Sequence, residues 1–172
     1  CETMGDHWGY AKDDLNFKSP ATIIEETADC RRYGANMLLN IGPKGDGTLR
    51  TIDKAVLEML GYWMNYYGEA MHAPRPTDIE IEGKEKDFVL QDGDTYYLFC
   101  YDLPMSFDEN VALHTDGFYE DKFHFSPKVK EIKWMDNGEN VSFEQNADEL
   151  IIHTVPFHYG RNLVVRVAKI QC

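Results

Sequence analysis

The 172-residue chain carries 30 Asp and Glu against 17 Lys and Arg, a formal net charge of −13, with 43% hydrophobic and 27% charged residues. That size admits one medium domain, or a small domain plus part of another, with ordinary globular composition. The acidic balance excludes nucleic acid, which needs clustered Lys and Arg, and an anionic membrane surface, and no apolar run approaches the roughly 18–20 residues that span a bilayer.

The first stretch, Cys1–Lys18, reads as a long loop, because Gly5, Gly9 and polar residues interrupt any periodicity. Ser19-Pro20 then starts a helix, with a hydroxyl for the N-cap and proline at the first helical position. Ile23, Ile24, Thr27, Ala28 and Arg31 follow at helical spacing, and Gly34 suits a left-handed C-terminal cap. Met37-Leu38-Leu39-Asn40-Ile41 is a short apolar run, expected to be a strand buried on both faces. Asn36 and Asn40 flank or close this run and are expected to satisfy backbone groups at the strand ends. Gly42–Gly47 is a loop by composition; it lacks the spacing and the Lys-Ser/Thr of a phosphate-cradling loop. Thr51 is expected to cap a second helix with Ile52, Val56, Leu60, Trp63 and Tyr67 on one stripe.

Two prolines within Ala73–Thr77 mark a linker. From Asp78 onward period-two alternation takes over: Tyr96/Leu98/Cys100, Ile132/Trp134, Val141/Phe143, Leu150/Ile152 and Leu163/Val165/Val167. Turn signals at Asp92-Gly93-Asp94, Asp136-Asn137-Gly138, Asn146-Ala147-Asp148 and Tyr159-Gly160 separate these runs. Short strands at that spacing predict an antiparallel β-sandwich. Cys1, Cys30, Cys100 and Cys172 are widely spaced and form no Cys-x-x-Cys pair, so free thiols are expected rather than a zinc site. His114, His124, His153 and His158 have no metal-like spacing.

Two stretches taken together carry a resemblance. Met4-Gly-Asp-His-Trp-Gly-Tyr10 and, further on, Asn36–Gly47 (NMLLNIGPKGDG) resemble the last quarter of the catalytic barrel of α-L-fucosidases of glycoside hydrolase family 29. Trp8-Gly9-Tyr10 is similar to the family's aromatic-Gly-Tyr element, and Asn36–Pro43 to its last barrel strand. Asp46-Gly47-Thr48 is similar to the Asp-Gly-Thr that follows, and Tyr67-Gly68-Glu69-Ala70 to the Asn-Gly-Glu-Ala closing the last helix. Gly34-Ala35 departs from the family's two glycines, and Tyr67 stands where Asn is common.

The resemblance implies an α/β fragment, the last α-β-α segment of a (β/α)8-type barrel, followed by an antiparallel β-sandwich. Residues 1–73 would be the end of the barrel, 74–77 a linker and 78–172 the sandwich, so the chain would begin inside a domain. It also implies retaining hydrolysis of terminal α-linked L-fucose, which needs two carboxyl groups about 5–5.5 Å apart. The family's nucleophile is an aspartate on a central barrel strand, expected upstream of Cys1, so no catalytic residue is assigned here. In many members the acid/base glutamate precedes the residue that Cys1 matches. Glu2 and Asp6 are the nearest carboxylates present and read as solvated loop groups; Asp13-Asp14 and Glu25-Glu26 read as exposed charges.

Trp8 is the candidate substrate-binding residue. Its match in the family packs on the C5-methyl side of fucose, a 6-deoxy sugar whose apolar edge suits an aromatic face. A buried loop anchor is the alternative. His7 is the second candidate, as a hydrogen-bond partner for a hydroxyl. No metal and no cofactor are implied. The expected partners are a fucosylated glycan or fucoside, the missing N-terminal barrel portion, and another copy of the chain. The competing readings are a non-catalytic carbohydrate-binding β-sandwich and a purely structural piece. As an isolated barrel segment the chain would expose apolar residues such as Ile23, Trp63, Met64 and Met37–Ile41, and is expected to repack its N-terminal region on the sandwich, to self-associate or to stay bound to an N-terminal fragment.

Overall fold

A computed structural model describes residues 1–106, 119–155, 157–158 and 160–172. His114 and Tyr159 of the sequence reading lie outside them. Its contacts divide into two compact units, Cys1–Gly68 and Glu69–Cys172.

The first unit starts with a strand where a loop was expected. β1 (Glu2–Thr3) is followed by α1 (Pro20–Arg32), β2 (Leu39–Asn40) and the start of α2 (Thr51–His72). β1 and β2 pair in parallel, Glu2 with Leu39 and Thr3 with Asn40. The Glu2 amide donates to the Leu38 carbonyl at 2.9 Å and the Met4 amide to the Asn40 carbonyl at 3.0 Å. Parallel neighbours need a long crossover, and α1 with its flanking segments supplies it. A two-residue strand is too short to leave a periodic signal, which is why the reading of Cys1–Lys18 as loop missed it.

Both ends of α1 follow the local chemistry. The Ser19 side chain accepts from the Thr22 amide, with Pro20 next in line. At the other end Gly34 adopts φ 66°. Its amide donates to the Arg31 carbonyl at 3.0 Å, and Ala35 donates to Cys30 at 2.7 Å. This pair of bonds is a Schellman closure. The helices close over Met4, Ile23 and Val56, with Phe17, Met37, Leu39, Ile41, Leu57 and Leu60 packed around them.

Four expectations for this unit are corrected. Leu38 is 55% exposed, so its apolar run is not buried on both faces. Among the described residues β2 pairs with β1 and with no second neighbour, which leaves one side of the run uncovered. Thr51 lies inside α2, and Arg50 caps it. The Arg50 carbonyl accepts from the Lys54 amide at 3.2 Å, while the buried Asp53 carboxylate accepts from the Arg50 amide and guanidinium. The buried stripe of α2 therefore runs through Asp53, Val56, Trp63 and Tyr67, and Ile52 faces solvent. Ile23 and Trp63, expected to be exposed, are buried, whereas Met59, Tyr62 and Tyr66 form an exposed apolar row at helical spacing. Among the described residues no helix is long and apolar enough to cross a membrane.

In the second unit the prolines expected in a linker form an edge strand instead. β3 (Arg75–Pro76) pairs antiparallel with β4 (Phe88–Asp92), Pro76 opposite Leu90. Proline lacks a donor and is tolerated at a sheet edge. The remaining strands are β5 (Thr95–Cys100), β6 (Met105–Ser106), β7 (Tyr119–His124), β8 (Glu131–Trp134), β9 (Phe143–Asn146), β10 (Glu149–Thr154), β11 (Phe157–His158) and β12 (Arg166–Gln171). They make a five-stranded sheet β3-β4-β5-β12-β8, a three-stranded sheet β7-β10-β9 and a short pair β11-β6. Both larger sheets are antiparallel. Their alternate side chains share one core: Val89, Leu98, Ile132, Trp134 and Ile170 from one sheet meet Phe123, Leu150 and Ile152 from the other. All four cysteines are free.

Two polar devices secure the sandwich. Buried Arg166 donates to both oxygens of Asp136, at 3.0 and 3.2 Å, with its guanidinium 3.9 Å from the Trp134 ring centroid. Glu69, in the last part of α2, accepts from the Tyr97 hydroxyl at 2.7 Å and pairs with Lys169, tying that helix end to β5 and β12.

A buried charge cluster lies deeper. Asp87, Cys100 and Asp121 are buried together. Lys84 Nζ lies 2.7 Å from Asp121 and 3.4 Å from Asp87. Burial, and then the Asp121 charge, push the Asp87 carboxyl up to about 7. A raised folded-state pKa adds stability that is fully present below the unfolded value near 4 and is lost as pH rises through the folded value. Asp87→Asn keeps the carbonyl that accepts from the Tyr101 amide and removes the titration. Between pH 5 and pH 8 the native chain is therefore expected to lose on the order of 2 kcal/mol relative to D87N, read from paired thermal melts at the two pH values.

Candidate functional site

The two sequence motifs are far apart in the chain and adjacent in the fold. Met4–Tyr10 leaves the C-terminal end of β1, and Ile41–Gly42 leaves the C-terminal end of β2. Loops at that end of parallel strands are where α/β proteins place their sites. Asn40 Nδ2 donates to the Trp8 carbonyl at 2.6 Å, bridging 32 residues of sequence. A Cβ on Gly42 would stand 2.5 Å from both the Gly9 carbonyl carbon and the Tyr10 nitrogen, so only glycine allows this approach. Asn40 does satisfy a backbone group, but on the neighbouring loop rather than on its own strand.

Trp8 is 61% exposed and is not a buried anchor. Its carbonyl is fixed by Asn40 and its ring is open to solvent. His7 is also exposed, with Nδ1 3.1 Å from Asp14 Oδ2. Arg50, held by Asp53, lies over the Phe17 ring at 4.6 Å and beside Tyr10 at 6.0 Å.

Glu2 and Asp6 are held in ionic or hydrogen-bonded roles. Glu2 pairs with Lys18 at 2.9 Å, and that partner holds its carboxyl below the ordinary range. A group so depressed is a poor general acid at neutral pH. Both Asp6 oxygens accept from Asn16 Nδ2, at 2.9 and 3.1 Å. Glu26, read as an exposed charge, is partly buried, and burial followed by the Glu2 charge raises its pKa.

Asp14 is the residue that sequence reasoning passed over. Taken as exposed, its side chain retains 3% of its accessible surface. Oδ2 accepts from the Asp6 amide at 2.9 Å and Oδ1 from the Asn16 amide at 3.1 Å. The Asn16 bond is a local Asx turn that the Asp-x-Asn spacing permits; the bonds back to Asp6 and His7 depend on the fold. The His7 contact first, and these amides, hold the Asp14 carboxyl below its usual range despite its burial.

The Lys44–Thr48 segment is a closed turn. Asp46 Oδ1 accepts from the Thr48 amide and hydroxyl at 2.9 and 2.7 Å, and Gly47 has φ 82°. In the second unit His153 pairs with Glu120 at 3.2 Å, and His124 lines a shallow surface hollow with Glu82, Asp148 and Glu149.

The family described as "Alpha-L-fucosidase" matches residues 1–69, the stretch holding both motifs. Plasma alpha-L-fucosidase of Homo sapiens is 34% identical over 170 residues, covering 89% of this chain and 34% of that protein. Tissue alpha-L-fucosidase of Mus musculus is 35% identical over 99 residues, covering 55% of this chain and 22% of that protein. The chain thus spans about a fifth to a third of the length of these curated relatives. Among solved structures, alpha-L-fucosidase isoenzyme 1 from Paenibacillus thiaminolyticus superimposes with a TM-score of 0.76 at 21% identity, over 99% of this chain and 39% of that one. A GH29 alpha-L-fucosidase from Bacteroides thetaiotaomicron gives 0.73 at 23% identity, over 99% and 37%. The likeness in fold extends over both units, and residues 1–69, which hold Trp8, Asn40 and Gly42, match the α-L-fucosidase family: the chain is similar to a part of such proteins.

Proposed function

We propose that this chain is the C-terminal part of a retaining α-L-fucosidase that removes terminal α-linked L-fucose from glycoconjugates. The observation that carries the reading is the seating of the Met4–Tyr10 loop on the end of β2 through Asn40 and Gly42. It sets an exposed indole beside a polar histidine, and a 6-deoxy sugar presents a methyl-bearing apolar edge next to hydroxyls. Trp8 takes the apolar edge, and His7 takes a hydroxyl. The trapped covalent intermediate described for the Bacteroides thetaiotaomicron relative supports retention, which proceeds through a glycosyl-enzyme.

In this reading β1-α1-β2-α2 is the end of a (β/α)8-type barrel, and the second unit is the sandwich that follows it. The nucleophile lies upstream of Cys1. The half-exposed run at Leu38 and the apolar row Met59, Tyr62 and Tyr66 are surfaces that the N-terminal barrel portion covers, or that lead the isolated chain to self-associate. The runner-up reading is a carbohydrate-binding sandwich, favoured by the hollow at His124. Trp134 and Tyr96 are buried in the sandwich core, which removes them as stacking platforms and counts against that reading.

Two outcomes test this reading. The purified chain is expected to leave a chromogenic aryl α-L-fucoside intact, and co-expression with the N-terminal barrel portion is expected to restore release of the aryl group. Turnover by the chain alone would mean that a carboxylate pair lies within it. Gly42→Ala is expected to lower stability by about 1–3 kcal/mol through backbone overlap and to abolish the restored activity. Urea denaturation read alongside the assay checks both effects, and an unchanged midpoint would contradict the close approach at Gly9–Tyr10.

A further inference from the structure

We propose that Asp14 is a positioning residue for His7: it holds the imidazole as the Nδ1–H form, so that Nε2 is presented as a hydrogen-bond acceptor toward a substrate hydroxyl. The inference rests on the reading of His7 as substrate-binding.

The argument starts from acceptor bookkeeping. An ionised carboxylate accepts and cannot donate. Asp14 is buried, and its oxygens already accept from the amides of Asp6 and Asn16, which favours the ionised form. The remaining direction on Oδ2 meets His7 Nδ1 at 3.1 Å. Nδ1 must therefore carry the proton, and the neutral ring is left with a bare Nε2.

The surroundings are arranged for this pairing. A Cβ on Gly5 would fall 2.7 Å from Asp14 Oδ2, so glycine at position 5 makes room for the carboxylate. The segment carrying His7 is held on both sides, by the Asp6 amide on Asp14 and by the Trp8 carbonyl on Asn40. Asn16, whose amide Asp14 accepts, closes the loop a second time through its side chain on Asp6. A carboxylate serving only to cap a turn would need Asn16 alone; this one also fixes the ring.

The tautomer can be read directly in the wild-type chain by long-range 15N–1H correlation of labelled histidine, with His7→Gln identifying its signals. At pH 8 His7 is expected to show a protonated Nδ1 and a bare Nε2. An Nε2–H form, or an even mixture, overturns the proposal without recourse to any variant. Asp14→Ala removes the acceptor from His7 Nδ1 and is expected to move His7 toward Nε2–H, while the amide spectrum of the second unit stays unchanged. A D14A spectrum with the wild-type tautomer would also overturn it.

The functional arm uses the enzyme restored by the N-terminal barrel portion. D14A is expected to raise KM for the aryl fucoside roughly tenfold with kcat little changed, the pattern of lost ground-state binding. Unaltered KM overturns the positioning role. Failure of wild-type complementation counts against the fucosidase reading instead, and leaves the tautomer measurement to decide the Asp14–His7 pairing.

Discussion

The site depends on one close backbone approach. Residue 42 lies so near the Gly9–Tyr10 peptide that a single added carbon would overlap it. That approach exists because β1 and β2 run in parallel with a fixed register, so the segments leaving their ends emerge side by side. Asn40 converts the proximity into a bond by taking the Trp8 carbonyl. An exposed aromatic on an otherwise irregular loop would wander; here its backbone is held, which would lower the ordering cost of the binding proposed for it.

The same economy of polar groups recurs in the second unit. Glu69 takes Tyr97 and Lys169 together and fixes the end of α2 to two neighbouring strands. Arg166 is buried with Asp136 and stacked on Trp134. Asp87, Asp121 and Lys84 bring two carboxyls and one ammonium into a space with Cys100. Like charges that close cannot both ionise without penalty, and burial raises the Asp87 carboxyl and drives the Cys100 thiol well up. This thiol is a packed side chain with little thiolate character.

What was legible in the sequence was what local chemistry decides. Ser19-Pro20 and Gly34 bracket α1 because caps act within a few residues, and alternation revealed the sandwich because one strand face is core. The motif pair pointed to the site because family resemblance carries tertiary information that periodicity lacks. What was not legible is set by neighbours distant in sequence. Two paired residues at Glu2–Thr3 leave no pattern. Leu38 has the composition of a buried residue but lacks a covering partner. Asp53 and Arg50 exchange the capping role expected of Thr51 because the Asp53 side chain is buried on the helix's inner stripe. Asp14 looks like the second of two solvated carboxylates until the loop folds it beneath Asp6 and His7.

The claim most exposed to test is that the Met4–Tyr10 loop is preformed on the β1–β2 ladder. Amide hydrogen exchange by NMR on the ligand-free chain addresses it directly. The amides of Glu2, Met4, Asp6 and Lys18, each bonded in this arrangement, should exchange more than about a hundredfold slower than unstructured chain. Exchange of these four at unprotected rates, with the amides of β5 and β12 still protected, would contradict the account.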